Sequence, residues 1–402
     1  MPHIDGRIPI ECRVRILISA GEASGEMYGS QLIEALHRRD LSLEFFGVGG
    51  PAMRAAGSET IVDSKDLAVV GIAEILNHLP KIWGLFRMLI AEADKRKPDL
   101  AVVIDSPAFN WRVARQMHKR GIPVVYYVCP QFWAWRQGRV RLLRKYVSKA
   151  LVIFPFEEKF YRDRGVDAKF VGHPLADLAQ PKINRTEYAA VHQLEPAKPW
   201  ITLMPGSRVK EVRMNLPTIL ESAARLGEAY EFLLPVAPTL DRNFLESLIG
   251  TQIIHLVPEA LPALAHSRAG IIASGTATVE AAMMGTPFVM VYRVTPFTYF
   301  LGRRTVKVPH FAMVNLIAEK EVVPELIQQD FTAENVVHHL QAILPDGPAR
   351  QQMIEDLATV KTRLHAHNNG DALHPADRAA NEVLALLAPS QPSVKTAPAT
   401  FS

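Results

Sequence analysis

Short apolar runs alternate with longer amphipathic stretches along this chain. In the first half the runs are Val14–Ser19, Glu44–Val48, Leu100–Ile104, Val124–Val128, Leu151–Phe154 and Phe170–Val171. After the polar, proline-bearing stretch Pro181–Pro199, the rhythm restarts with Trp200–Met204, Phe232–Val236, Ile253–Val257, Ala269–Ile272 and Phe288–Tyr292. Buried parallel strands joined by crossover helices produce such a rhythm. The pattern therefore predicts an α/β fold with two doubly wound, Rossmann-like domains joined near this stretch.

Helical patterns close the chain at Ala349–His365 and Ala376–Leu387, before an end rich in Ser, Pro, Thr and Ala. We place the first domain at residues 1–185, the second at 186–365, a C-terminal helical segment at 366–390 and a disordered tail at 391–402. With 402 residues, of which 48% are hydrophobic and 21% charged, the chain is long enough to bury two cores. These proportions predict a folded protein of the size of an enzyme.

Charge and cysteine content narrow the class of protein. The formal net charge of +4 permits an anionic partner, but no zinc, helix-hairpin or arginine-rich signature accompanies it, so nucleic acid is not indicated. Cys12 and Cys129 are too few for a disulfide framework, which fits a reducing compartment. The first residues lack a signal-peptide pattern, and no apolar run reaches about twenty residues. We therefore expect a cytoplasmic protein that is neither exported nor membrane-spanning.

The run Ala273–Glu280 changes abruptly from an apolar strand to a helix. Ser274, Gly275 and Thr276 leave backbone N–H groups at the positive end of that helix, where a phosphate binds well. Glu280, one turn further on, is placed to accept hydrogen bonds from a sugar diol. For this run taken alone, an ordinary N-cap on a buried helix is the alternative interpretation.

A second turn of this kind spans Met204–Glu211 in the same predicted domain. Gly206 and Ser207 supply backbone donors, and Arg208 supplies a cation able to clamp a diphosphate. Two such turns together favour a nucleotide ligand more than either does alone. No Asp-x-Asp triplet occurs and the histidines lack ligand spacing, so we expect no metal and no cofactor. Cationic side chains and helix termini would then neutralise a leaving diphosphate.

In the first domain, the turn Ser19–Glu26 follows the first apolar run. Gly25 allows close backbone approach, and Glu22, Ser24 and Glu26 offer polar groups to a ligand. A turn with a capping box is the alternative interpretation of the same residues.

Asp105 stands where the apolar run Leu100–Ile104 ends, at the edge of a parallel sheet where such folds bind ligands. A general base is one interpretation of this carboxylate. An Asx turn that stops the strand ahead of Ser106 and Pro107 is the other. The residues by themselves leave both interpretations open.

Two aromatic segments lie beside basic residues. The first, Pro130–Arg136, contains the candidates Gln131, Trp133, Trp135 and Arg136. The predicted helix beyond it carries, with no acid between them, Arg139, Arg141, Arg144, Lys145 and Lys149. The second segment, Ile82–Ile90, contains Trp83 and Phe86 and is flanked by Lys81 and Lys95–Lys97. Both suit an amphiphilic, phosphate-bearing ligand or a membrane surface, while buried aromatic side chains and a solvated helix face are the alternatives.

Taken in this order, the segments resemble the lipid-A-disaccharide synthases over nearly the full length. Pro130–Trp135 and Glu321–Leu326 are specific, because Pro-Gln-Phe-Trp-Ala-Trp and Glu-Val-Val-Pro-Glu-Leu are rare combinations. The resemblance implies a GT-B fold, in which the two domains face each other across a cleft and the final helix crosses back to the first domain. It also implies a protein peripheral to the inner face of the cytoplasmic membrane of a Gram-negative bacterium.

The implied reaction moves a diacylglucosaminyl unit from UDP-2,3-diacylglucosamine to 2,3-diacylglucosamine 1-phosphate, giving the β-1,6-linked disaccharide of lipid A and UDP. An α-linked donor that yields a β-linked product requires inversion with one base, and Asp105 is the candidate ahead of Glu22 and Glu26. The implied partners are these two substrates and an anionic membrane surface, without nucleic acid.

The resemblance also assigns roles to regions. Arg208, with Gly206, Ser207 and Glu211, is matched to the diphosphate, the 274–276 turn to phosphate and Glu280 to ribose. Asn315 and Gln328 are matched to polar positions near the nucleotide. The acceptor and its acyl chains would contact the segments that carry Glu22, Ser24, Gly25, Glu26, Trp83, Phe86, Gln131, Trp133, Trp135 and Arg136. Two alternatives stay open: a UDP-sugar epimerase of related fold, and a non-catalytic nucleotide- or lipid-binding protein of the membrane surface.

Overall fold

The computed structural model describes residues 13–21, 23–67, 72–177, 180–295, 308–366 and 373–387. The candidate Glu22 and the predicted tail at 391–402 lie outside the described residues.

The first domain is built on a seven-stranded parallel sheet with the order β3-β2-β1-β4-β5-β6-β7. Its strands are β1 Arg15–Ala20, β2 Glu44–Gly49, β3 Ser58–Asp63, β4 Leu100–Ile104, β5 Val124–Tyr127, β6 Lys149–Val152 and β7 Ala168–Phe170. Its helices are α1 Ala23–His37, α2 Pro51–Ala55, α3 Ile72–Arg96, α4 Pro107–Lys119, α5 Val140–Tyr146 and α6 Pro155–Arg162. In register, Leu17 of β1 lies between Phe46 of β2 and Ala101 of β4.

The second domain has a six-stranded parallel sheet with the order β10-β9-β8-β11-β12-β13. Its strands are β8 Trp200–Met204, β9 Glu231–Pro235, β10 His255–Val257, β11 Ala269–Ala273, β12 Phe288–Tyr292 and β13 Glu325–Ile327. Its helices are α7 Arg185–His192, α8 Val209–Leu226, α9 Arg242–Ile249, α10 Ala260–His266, α11 Thr276–Met284, α12 Met313–Ala318, α13 Ala333–Ile343 and α14 Pro348–Leu364. The chain then ends its described part with α15 Pro375–Leu387.

Burial explains why the apolar runs predict the central strands well. Every residue of β4 and of β11 is buried, because helices cover both faces of each sheet. Burying one valine, leucine or isoleucine side chain contributes about 1.5–3 kcal/mol, so each central strand is a large part of its domain's stability. The fold class predicted from the sequence, two doubly wound domains, is confirmed.

Several local features of the structure differ from the predictions. Lys149, predicted on a helix, opens β6 and pairs with Asp167 at 3.1 Å, so that prediction was wrong. β10 begins at His255, and Ile253, predicted to be in the strand, is 74% exposed. β3 at the edge of the first sheet was not predicted, because its sequence Ser-Glu-Thr-Ile-Val-Asp has only a short apolar core.

The last two helices belong to different domains. α14 packs against α11 and α12 of the second domain, whereas α15 packs against α1 of the first. Arg39, two residues after the end of α1, donates to Asp377 of α15 at 2.7 Å and to Asn381 at 2.9 Å. Glu382 of the same helix lies 3.2 Å from Lys149. The final helix therefore crosses back to the first domain, as the resemblance implied.

Candidate active site

Asp105 lies at the carboxyl end of β4, where the strand turns into α4. Its φ of +46° and that of Ser106, +44°, place two successive non-glycine residues in the left-handed region. Such a conformation costs free energy and persists only where the surroundings hold it. Here the Asp105 N–H donates to the carbonyl of Tyr127 at 3.1 Å, and the Tyr126 hydroxyl donates to the Asp105 carbonyl at 3.0 Å. The half-buried carboxylate is thus presented from a backbone held at both ends.

The opposite domain contributes Glu280, which is half-buried at the middle of α11. Burial raises the pKa of its carboxyl above the usual range. Burial also raises the pKa of the Tyr28 phenol of α1, and the negative charges of Asp105 and Glu280 raise it further. The two carboxylates, one from each domain, therefore both lie close enough to the Tyr28 phenol for their charges to reach it.

The turn before α8 combines a glycine with charged side chains. Gly206 has a φ of +121°, and a Cβ added there would lie 2.7 Å from Glu211 Oε2. That carboxylate accepts from the Ser207 N–H at 3.2 Å and pairs with Arg208 at 3.0 Å. The side chain of Arg208 is 73% exposed, so it remains accessible to an anionic ligand. The predicted phosphate turn is thus a glycine turn at a helix N-terminus with an accessible cation.

The turn before α11 is more open. Gly275 has a φ of +144°, and a Cβ added there would meet nothing within 4 Å. Thr276 is exposed at the first position of the helix, while the Ser274 hydroxyl donates to the carbonyl of Phe311 at 3.1 Å. A ligand that reaches this turn therefore meets backbone N–H groups with free space above the glycine.

Two further predicted nucleotide residues are engaged within the protein. The buried Asn315 amide donates to the Val323 carbonyl and to Glu325, and its oxygen accepts from the N–H groups of Val322 and Val323. Gln328 donates from its side chain to the carbonyl of Val294 at 3.1 Å. Asn315 therefore has all its usual hydrogen-bonding capacity in use. Direct contact of either residue with a nucleotide stays a prediction.

The turn Ser19–Glu26 of the first domain places its described candidate residues in different environments. Glu26 accepts from the N–H of Ala52 at 2.8 Å and so caps α2, and Gly50 has no Cβ where that carboxylate lies. A Cβ added at Gly25 would lie at ordinary contact distance from the carbonyl oxygen of Ile104, and Ser24 is exposed. The start of α1 is thus close to the end of β4, and Ser24 is the accessible member of the described trio. Their contact with an acceptor stays a prediction.

The structure separates the two tryptophans of the 130–136 segment. Trp133 is 5% exposed and donates from its indole to Glu157 at 2.7 Å. Trp135 is 43% exposed, with the Arg136 guanidinium 4.6 Å from its ring centre. Gln131 is exposed as well. The exposed side chains of this segment face solvent, whereas Trp133 belongs to the core.

On α3, an aromatic stack joins the surface to the core near Asp105. Trp83 is 55% exposed and stacks on Phe86 with ring centres 5.3 Å apart. Phe86 is buried and meets Phe109 of α4 edge-on at 5.9 Å. Trp83 is therefore the member of this pair that an acyl chain or a membrane would contact first.

Sequence reasoning missed two buried polar residues beneath the site. Asn110 of α4 bonds the ends of β1 and β4 and is fully buried. Glu157 accepts from the Trp133 indole and from the N–H groups of Ile153 and Phe154, and burial raises its pKa to about 7. A polar residue on an amphipathic helix looks solvent-exposed in sequence, so no local signal separates these two from surface residues.

Comparison with solved structures places the arrangement in a known fold. The calicheamicin glycosyltransferase CalG4 superposes with a TM-score of 0.58 at 17% sequence identity, covering 95% of this chain and 100% of that one. A putative UDP-N-acetylglucosamine 2-epimerase from Listeria monocytogenes also superposes with a TM-score of 0.58, at 13% identity, covering 93% of this chain and 95% of that one. Two Rossmann-like domains that face each other across a cleft define the GT-B class, to which glycosyltransferases and these epimerases both conform.

Sequence comparison identifies the family within this class. A family model described as lipid-A-disaccharide synthetase matches residues 16–374. The lipid-A-disaccharide synthase of Koribacter versatilis is 53% identical over 378 residues, covering 93% of this chain and 98% of that protein. That of Myxococcus xanthus is 39% identical over 383 residues, covering 94% and 98%. The chain belongs to the lipid-A-disaccharide synthetase family, and it is a glycosyltransferase of lipid A biosynthesis.

Proposed function

We propose that this enzyme condenses UDP-2,3-diacylglucosamine with 2,3-diacylglucosamine 1-phosphate by a single inverting displacement. The observation that carries the proposal is the conformation of Asp105 at the carboxyl end of β4, where a half-buried carboxylate is presented from a backbone bonded at both its N–H and its carbonyl. The donor's nucleotide would occupy the second domain, and the acceptor would approach from the first. Membership in the family supports this choice of substrates, and the geometry supports the direction of attack.

In the proposed step, the 6-hydroxyl of the acceptor attacks the anomeric carbon of the donor sugar. The bond from that carbon to the diphosphate oxygen breaks as the new glycosidic bond forms, and the hydroxyl proton passes to Asp105. UDP leaves with the electron pair of the broken bond. Arg208, the Ser207 N–H and the N-terminus of α11 would stabilise its diphosphate charge, while Glu280 would hold the ribose.

We further propose that the reaction needs no metal ion. Arg208 and the N–H groups of two helix N-termini supply positive charge on the side where the diphosphate would leave. Turnover in the presence of a chelator checks this part of the proposal, because a metal-dependent enzyme would lose activity that added Mg²⁺ or Mn²⁺ restores.

We also propose that the first domain contacts an anionic membrane surface at the inner face of the cytoplasmic membrane. None of the helices in the described ranges is both long and apolar enough to cross a bilayer. Within those ranges, several exposed cations of α4, α5 and the turn before α5 form no ion pair with a carboxylate: Arg112, Arg115, Arg139, Arg141 and Arg144. Such cations, together with the exposed Trp83 and Trp135 of the same domain, suit a surface that offers both phosphate and acyl groups.

The deciding experiment mixes the purified protein, in detergent and without added metal, with the two proposed substrates. Mass spectrometry of the lipids should reveal a tetraacyl disaccharide 1-phosphate, and UDP should appear in equal amount. Conversion of the UDP-sugar without the acceptor would instead indicate an epimerase. Intact substrates with a folded protein that binds UDP would indicate a binding protein and overturn the proposal.

A further inference from the structure

We propose that Asn110 and Asn215, one in each domain, are positioning residues with separate tasks. Asn110 holds the backbone that presents Asp105, and Asn215 holds the turn that carries Arg208. Both amides are buried, at 0% and 1% exposure. The inference rests on the proposed function, because the two tasks are those of base and diphosphate binding.

Asn110 connects two adjacent strand ends of the first sheet. Its amide nitrogen lies 2.7 Å from the Ile104 carbonyl oxygen, 3.0 Å from that of Asp105 and 3.1 Å from that of Ser19. Its amide oxygen accepts from the Ser19 hydroxyl at 2.6 Å. A single side chain therefore bonds to the last residue of β4, to the residue that follows it and to β1 beside it.

These bonds act on the residue whose conformation most needs support. Asp105 and Ser106 both have a positive φ without being glycine, so the turn would relax if nothing held it. The Asp105 carbonyl accepts from Asn110 and from the Tyr126 hydroxyl, while its N–H donates to Tyr127. Loss of the Asn110 amide removes one of these bonds and the link to β1. The carboxylate would then sample orientations in which it misses the acceptor hydroxyl.

Asn215 lies on α8, in the second domain. Its amide nitrogen donates to the carbonyl of Pro205 at 2.9 Å, and its oxygen accepts from the N–H of Arg293 at 3.1 Å. Pro205 directly precedes Gly206, and Arg293 directly follows β12. The Asn215 side chain thus links the turn that follows β8 to the residue that follows β12, and β12 lies two strands away from β8 in the sheet. Its loss would loosen the turn that carries Ser207 and Arg208, without touching Asp105.

A purely structural role predicts something different for both residues. A buried asparagine that only stabilises its domain would lower the melting temperature when removed, while folded molecules would keep both turnover and UDP affinity. Positioning predicts that the folded molecules themselves are impaired, each variant in a different constant. The two hypotheses therefore separate when stability, UDP binding and turnover are measured on the same preparations.

The experiment compares Asn110→Ala, Tyr126→Phe and Asn215→Ala in the full chain, with Asn335→Ala as a control whose side chain donates to the Asp330 carbonyl in an exposed hydrogen bond. For each, kcat, KM for both substrates, the Kd of UDP by calorimetry and the melting temperature are measured. We expect Asn110→Ala to lower kcat by about 10- to 100-fold with an unchanged UDP Kd. Asn215→Ala should raise the UDP Kd by roughly tenfold, the scale of one lost charged hydrogen bond.

Tyr126→Phe keeps the inference testable if Asn110→Ala does not fold, because it removes only a hydroxyl that also donates to the Asp105 carbonyl. It should lower kcat by a few fold and leave the UDP Kd unchanged. The inference is overturned if folded Asn110→Ala and Tyr126→Phe keep full kcat, or if Asn110→Ala and Asn215→Ala affect the same constant equally. Failure of the proposed function is distinguishable, since the wild-type protein would then form no disaccharide from the two substrates, whereas failure of this inference leaves wild-type turnover in place.

Discussion

The turn after β4 in the first domain is built differently from the turns before α8 and α11 in the second. In the first domain, Asp105 and Ser106 adopt positive φ angles although both carry side chains. In the second, positive φ angles precede α8 and α11 at glycines, Gly206 and Gly275. A glycine turn lets the backbone approach a ligand at little cost, whereas a side chain in the same conformation must be held there.

This difference indicates which role each of these turns is suited to. The second-domain turns offer backbone N–H groups at helix ends, which suits a diphosphate whatever its sugar. The first-domain turn offers a single carboxylate in a fixed direction, which suits proton transfer to or from one hydroxyl. We therefore expect substitutions in the first turn to affect turnover and those in the second to affect UDP binding.

Among the substitutions that test this comparison, Asp105→Asn has the largest expected effect, a loss of turnover. Asparagine tolerates the left-handed conformation as well as aspartate does, so the protein should fold normally. Without a base, turnover should fall by about 10²- to 10⁴-fold, while the calorimetric Kd of UDP stays the same. Near wild-type turnover would show that Asp105 is not the base and that its strained turn has another purpose.

The pH dependence of stability tests whether the segment that carries Trp133 is held by a buried, protonated carboxyl of Glu157. Its pKa is raised by burial from 4.5 to about 7, so the folded protein holds the proton more tightly than the unfolded chain. This contribution to stability is fully present below pH 4.5 and is lost as the pH rises through about 7. The free energy of unfolding should therefore fall by about 3 kcal/mol across that window.

Denaturant titrations at several pH values measure this loss, and Glu157→Gln is the matched variant. Because glutamine cannot ionise, the free energy of unfolding of the variant should depend less on pH between pH 4.5 and 7 than that of the wild type. An unchanged slope in the variant would mean that another group carries the pH dependence.

Arg208→Ala tests whether the turn before α8 in the second domain binds the diphosphate of UDP. Loss of a charge-assisted contact to the diphosphate should weaken UDP binding by about 1.5–3 kcal/mol, or roughly 10- to 150-fold in Kd. Arg225→Ala is a matched control at the opposite end of α8, because Arg225 pairs with Glu221 at 2.7 Å and lies in the last turn of that helix. Equal UDP affinity in Arg208→Ala and the control would defeat the assignment.

Gly206→Ala gives the smallest expected effect and tests the role of glycine directly. Its φ of +121° disfavours alanine, and the new Cβ would lie 2.7 Å from Glu211 Oε2. Gly227→Ala shares a positive φ, +77°, but its Cβ would meet nothing within 4 Å. Both variants should lose about 1 kcal/mol of stability or somewhat more from the backbone. If UDP binding is no weaker in Gly206→Ala than in Gly227→Ala, the glycine turn before α8 has no special role in UDP binding.

Much of this arrangement was predictable from single residues. Asp105 ends an apolar run, and Gly206 and Gly275 follow others, so their place at the sheet edges could be inferred from the rhythm alone. The partners of Asn110 and Glu157 could not be inferred. Asn110 meets Ser19 across 91 positions of sequence, and Glu157 meets Trp133 across 24. Contacts at such separations depend on which strands become neighbours.

The sequence by itself determined the alternation of strands and helices and the positions of the cleft-facing turns, because periodicity and turn chemistry are local properties. It also determined the family, through stretches such as Pro130–Trp135. Only the tertiary structure decided that Trp133 is buried while Trp135 is exposed, that Glu26 caps α2, and that the Asn315 amide is saturated by the 322–325 segment. These outcomes depend on packing between elements far apart in the chain, where the burial of one side chain is set by its neighbours in space.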